Sequence, residues 1–113
     1  RGRLGHTFHS PKGCGIYMTL AVPMSGDPER MLSFTPAAAV AVCRAIERLT
    51  DKKPMIKWVN DVLYNGKKVC GILTEGSIDV ETMSTKFVIV GVGINLYEPA
   101  DGFDKTIKNI QCR

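Results

Sequence analysis

The chain of 113 residues has no C-x-x-C pair, because Cys14, Cys43, Cys70 and Cys112 lie far apart. That spacing excludes a zinc ribbon. With no signal peptide in the sequence it also argues against a disulfide framework, and reduced, mostly buried thiols are expected. Histidine is scarcer still: His6 and His9 form one His-x-x-His with no cysteine or acidic cluster beside it, a thin basis for a metal site. The longest apolar run, "FVIVGVGINL", falls well short of the roughly 20 residues of a membrane-spanning helix, so no membrane span is expected. Tandem repeats, low-complexity tracts and dividing linkers are absent.

Two phosphate-binding signatures are missing as well. "YNGKKV" has neither the upstream glycine nor the Ser/Thr of a Walker A loop, and it reads as a hairpin turn rather than the approach to a helix. "GVGINL" lacks the third glycine of a dinucleotide fingerprint, and "YEPADG" cannot open a helix after it. Aromatics make up 7% of the chain, and the net charge of +4 is spread over Lys12, Lys52, Lys53, Lys57, Lys67, Lys68, Lys86, Lys105 and Lys108. A nucleic-acid footprint would gather such charge into a stripe between stacking aromatics, so a solvated surface or small anionic ligands fit better.

What is present describes one folded domain: 44% of residues are hydrophobic and 23% charged, in a length that can bury a core. Cys14–Val22 mixes alternation with β-formers and reads as a strand. Thr35 and Pro36 are placed as N-cap and first residue of a helix whose apolar face is Ala38, Val42, Ala45, Ile46 and Leu49, with Arg44, Glu47 and Arg48 opposite. This helix should end near Asp51–Pro54. "MIKWV" is a short strand candidate, and "VLY-NG-KKVCGIL" is a hairpin, since Asn65-Gly66 can adopt the positive φ angles of a type I′ turn. A polar loop is expected around "SIDVETMST". "KFVIVGVGINL" then reads as a strand buried on both faces. The order strand, helix, strand, hairpin, strand points to an α+β architecture, a mixed, largely antiparallel sheet packed with helices.

The chain opens on Arg1-Gly2-Arg3. Guanidinium forks match carboxylates and phosphates, and glycine lets a loop approach a ligand closely and move. Four further stretches accompany it: "SPKGCGIYMTL", "KWVND", "GKKVCGILTE" and "GVGIN". In this order and spacing they resemble the catalytic domain of biotin protein ligases, whose pattern is approximately G-R-G-R-x-G-R-x-W-x-S-P, G-x-Y-x-S-L, K-W-P-N-D, G-K-K-x-x-G-I-L-x-E and G-I-G-I-N. The resemblance runs from Arg1 to about Leu96. Leu4 and His6 stand where many members have arginine, Phe8 where they have tryptophan, and Val59 in place of the proline.

The resemblance implies a fold like that of class II aminoacyl-tRNA synthetases, with residues 1–113 a partial catalytic domain lacking its N-terminal part and C-terminal β domain. It implies activation of biotin by ATP to biotinyl-5′-AMP and transfer to a lysine of a biotin carboxyl carrier domain. Lys68 and Arg3 would be catalytic; Arg1, Gly2, Arg3, Lys68, Gly71 and Leu73 would bind biotin. Arg3, Phe8, Lys57, Asn60, Asp61 and Asn95 would hold ATP or the adenylate, with Asp61 a ligand for Mg2+. A cytoplasmic location and compatibility with a homodimer follow, and without a helix-turn-helix no DNA binding is inferred. Two other readings are a lipoate or octanoate ligase relative, which typically carries arginine followed by several glycines, and a binding module without catalysis. Lys68, close to a tight turn, should be rigid while Arg1 and Arg3 stay mobile, an arrangement suited to capture followed by closure.

Overall fold

A computed structural model describes residues 12–96 of the chain. Strand β1 (Gly15–Pro23) leads through a 3₁₀ turn (Pro28–Ser33) into helix α1 (Phe34–Leu49); β2 (Met55–Lys57), β3 (Asp61–Tyr64), β4 (Lys67–Asp79) and β5 (Ser84–Asn95) follow. The strands form one sheet in the order β1-β5-β4-β3-β2. Every pairing is antiparallel, so among the described residues the sheet is not mixed.

The helix covers one face of this sheet. Val62, Cys70, Ile72, Val88, Val90 and Val92 point toward it and are buried, as are Ala39, Val42 and Cys43 from α1. Together they form the core, with Met31, Phe34, Ala38, Ile46 and Ile94 packed around it. Fully burying one such valine contributes about 1.5–3 kcal/mol. Thr35 pins the helix to the sheet through a 2.8 Å hydrogen bond between its hydroxyl and that of Thr74 on β4.

That bond explains one departure from expectation. Thr35 is not the N-cap: the 3₁₀ turn, itself capped by Asp27 accepting from the Glu29 amide, runs straight into α1, with Ser33 at the boundary. Pro36 is still accommodated, because first-turn amides have no partner inside the helix. The buried helical face is also rotated by about one residue: Ala39 and Cys43 are inside, whereas Ala45 is exposed and Leu49 is 84% exposed.

The Asn65-Gly66 hairpin is present, with φ of 52° and 73° as a type I′ turn requires. The second hairpin is longer than expected. Strand β4 continues through Ser77, Ile78 and Asp79, opposite Phe87, Thr85 and Ser84, so the polar loop shrinks to Val80–Met83. The Asp79 carboxylate accepts from the amides of Glu81 and Thr82 and closes the turn. Solvated residues of a protruding strand end had resembled a loop. Burial of β5 on both faces holds in part: Val88, Val90 and Val92 are inside, while on the far side Gly93 is buried, Ile89 and Gly91 are half-buried and Phe87 is 39% exposed. No helix among the described residues is long and apolar enough to cross a membrane.

Candidate functional site

The site is built on the sheet face away from α1. Side chains alternate along a strand, so the residues between the buried ones look the other way. Asp61 neighbours Val62, Gly71 lies between Cys70 and Ile72, and Gly91 and Gly93 interleave with Val90 and Val92. The register aligns them across the sheet: Lys57 opposite Asp61, Asp61 opposite Gly71, Gly71 opposite Gly93, Leu73 opposite Gly91, and Asn95 opposite Gly15.

Lys68 joins this face by a local irregularity. Regular alternation would give it the orientation of Cys70, into the core. The ladder instead shifts between Val62 and Leu63, so that Val62 opposes Cys70, Leu63 opposes Lys68, and Val69 has no partner. Such a bulge re-aims the side chain beside it. Val69 packs on the core, and the Lys68 ammonium lies 2.9 Å from Asp61 Oδ1, the two side chains retaining 20% and 14% exposure. The contact is an ion pair rather than an aligned hydrogen bond, since Oδ1 is fully buried and has no hydrogen-bond partner of good geometry.

Thus Lys57, Asp61, Lys68, Gly71, Leu73 and Asn95 share one face. Asn60 sits just before β3, where its carbonyl accepts from the Ile72 amide. Trp58 beside it is 78% exposed. Arg1, Gly2, Arg3 and Phe8, and likewise His6, His9 and Cys112, lie outside the described residues. Below the site, burial pushes the Cys70 thiol up to about 12, opposed by the Lys68 ammonium and aided by Asp61 and Cys43. It stays a protonated member of the core, not a nucleophile. Cys14, Cys43 and Cys70 are all free thiols, and of these Cys43 and Cys70 are buried.

The family model for biotin/lipoate A/B protein ligases matches residues 1–95. The chain belongs to that family. Within it, the chain is 40% identical over 110 residues to the bifunctional ligase/repressor BirA of Bacillus spizizenii, covering 97% of this chain and 33% of that protein. It is 36% identical over 97 residues to the biotin–[acetyl-CoA-carboxylase] ligase of Paracoccus denitrificans, covering 85% and 40%. The fold matches the biotin protein ligase of Aquifex aeolicus, solved in complex with biotin and ATP, with a TM-score of 0.69 and 32% identity over 96% of this chain and 42% of that one. The chain therefore spans about a third of the length of its Bacillus relative.

For a biotin/lipoate ligase, magnesium is the ion to test against this site. Asp61 is its carboxylate, and that carboxylate is already taken up by an ammonium. No group of three His, Cys, Asp or Glu side chains that could hold a metal occurs among the described residues. This donor set does not fit an ion held by protein side chains alone. Two features of the face went unassigned in the sequence: the Val69 bulge, which has no local signature, and Gly91 with Gly93, whose signal is glycine interrupting a β-branched run.

Proposed function

We propose that this segment forms the biotin- and ATP-handling part of a biotin protein ligase catalytic domain, built on a sheet of the class II aminoacyl-tRNA synthetase type. The observation that carries the reading is the Lys68–Asp61 pair, a half-buried cation and carboxylate on a face to which Gly71, Gly91 and Gly93 contribute no side chains. Its motifs and its structural neighbour, solved with biotin and ATP, support the same reading.

The chemistry sets what the residues must do. A biotin carboxylate oxygen attacks the α-phosphorus of ATP, a P–O bond forms, and the bond to pyrophosphate breaks. An acceptor lysine amine then attacks the acyl carbon, a C–N bond forms, and AMP leaves. The first step brings two anions together, so positioned cations should contribute most of the rate. Lys68, held on a paired strand, is assigned to the biotin carboxylate and the transferring phosphate. Arg1 and Arg3 are assigned to the loop that covers the adenylate, with Gly2 between them, and Arg3 acts in the chemistry.

Gly71 and Leu73 would line the biotin pocket; Phe8, Lys57, Asn60, Asp61 and Asn95 would lie along the nucleotide. Any Mg2+ would arrive with ATP, which supplies the phosphate oxygens that Asp61 alone cannot replace. The acceptor would be the carrier domain of a biotin-dependent carboxylase. The buried free thiols Cys43 and Cys70 suit the reducing cytoplasm. Biotin-dependent exchange of labelled pyrophosphate into ATP by the whole protein tests the reading. Exchange with biotin supports it; no exchange, or faster exchange with lipoate, overturns it.

A further inference from the structure

Strand β4 carries one residue more than its pairing with β3 uses. At one end the register is fixed by the Asn65-Gly66 turn, which sets Tyr64 opposite Lys67 and Leu63 opposite Lys68. At the other it is fixed by the core, with Cys70 buried opposite Val62 and Gly71 opposite Asp61, and the Asn60 carbonyl accepts from the Ile72 amide just beyond. Val69 lies between these two stretches and opposes no residue of β3.

Neither end requires it. With Val69 removed and the ladder closed, Lys68 would directly precede Cys70, and simple alternation would still put Cys70 inside and Lys68 on the opposite face. Every pair just named would survive. The residue is nonetheless held in place, because its side chain is half-buried and packs against the core. An extra residue that leaves the pairing on both sides unchanged acts on local geometry instead: it bends the strand and increases its twist at that point. The side chain that leaves the strand there is Lys68.

In a regular strand Lys68 would stand roughly perpendicular to the sheet beside Leu63, its Cβ about 7 Å from that of Asp61. In the bulged strand its ammonium lies 2.9 Å from Asp61 Oδ1. We infer that Val69 is a positioning residue: the inserted residue, anchored in the core by its side chain, tilts Lys68 along the sheet toward Asp61 and fixes the ammonium where the biotin carboxylate and the transferring phosphate meet. This rests on the biotin ligase reading above. Val69 acts through Lys68, from the other face of the sheet.

Two variants of the whole protein separate the inserted residue from its side chain. Deletion of Val69 removes the bulge, whereas Val69→Ala keeps the bulge and loses packing alone. Biotin-dependent pyrophosphate exchange reads kcat and KM, and urea unfolding reads stability. Deletion should lower kcat by about 10- to 100-fold, the scale for displacing a catalytic group by about 1 Å. Val69→Ala should stay within about 2-fold of the wild-type kcat while unfolding at lower urea, since shortening a core side chain costs stability. A second readout needs no substrate. Lys68→Met and Asp61→Asn should lose stability non-additively with Val69 present, because the two side chains interact, and additively once Val69 is deleted.

The proposal is overturned if the deletion keeps the wild-type kcat, if Val69→Ala is as slow as the deletion, or if the deletion variant does not fold. It is equally overturned if Lys68 and Asp61 are uncoupled in the presence of Val69 or stay coupled in its absence. A wild-type protein whose pyrophosphate exchange does not depend on biotin overturns the ligase reading instead, and the coupling of Lys68 to Asp61 still decides whether Val69 positions it.

Discussion

The Lys68 ammonium lies 2.9 Å from Asp61 Oδ1, although the two residues are not ladder partners: Asp61 opposes Gly71 and Lys68 opposes Leu63. The pair meets diagonally across β3 and β4 because the unpaired Val69 separates Lys68 from the inward-facing Cys70. Core and site therefore depend on the same irregularity, which lets a strand of alternating residues contribute a cation to one face and Cys70 and Ile72 to the other.

If Asp61 serves chiefly to hold Lys68, the two side chains act as a unit and their losses will not add. Lys68→Ala should lower biotin adenylation by about 100-fold or more, the scale for removing one preorganised transition-state donor. Asp61→Asn should cost less, and the double variant should be no slower than Lys68→Ala alone. Single-turnover adenylate formation provides the measurement. Additive losses would show that Asp61 contacts the reactants on its own account.

The Asn65-Gly66 turn sets the register in which Lys68 is presented. Gly66 has φ of 73°, which a Cβ disfavours. Gly66→Ala should destabilise the protein by about 1–2 kcal/mol in urea unfolding, whereas Asn65→Gly, which keeps positive φ accessible, should change stability by less than about 0.5 kcal/mol. A neutral Gly66→Ala would mean that the turn does not hold this conformation in solution.

This hairpin was readable from sequence because Asn-Gly between two β-forming runs has one inexpensive conformation. The helix was readable too, though not its exact face: alanine, valine and cysteine surround much of α1, so small changes in how it lies on the sheet exchange Ala39 and Cys43 for Ala45 and Leu49. The extent of β4 was hidden because Ser77 and Asp79 are polar at a solvated strand end. The residues proposed for the site come from motifs, but the bulge that turns Lys68 toward Asp61 depends on a register between two strands, and no local pattern encodes it.

The Thr35–Thr74 hydrogen bond, 2.8 Å and partly buried, joins helix to sheet. Replacing either threonine by the isosteric valine leaves the other hydroxyl without this partner, at a cost of about 1–2 kcal/mol. Replacing both removes both polar groups and should come close to neutral. A double-mutant cycle by chemical denaturation measures the coupling; a double variant as unstable as the sum of the singles would show that each hydroxyl has another partner.

The Cys70 thiol makes stability depend on alkaline pH. Burial raises it from 9.0 to about 12, and Cys43 is shifted in the same direction by burial and by Glu47. Below the unfolded value the thiol is protonated in both states, and its contribution is fully present. Between the two values the unfolded thiol ionises while the folded one cannot, so stability falls by about 1.4 kcal/mol for each pH unit. Above the folded value the contribution is exhausted. Urea unfolding at about pH 8 and about pH 10.5 should therefore show a steeper loss for wild type than for Cys70→Ala, whose thiol is gone and whose lysines still titrate. Parallel pH profiles for the two proteins would mean that Cys70 is reached by water in the folded state, and the packing of α1 over β4 would have to be looser than the buried Cys43 and Cys70 require.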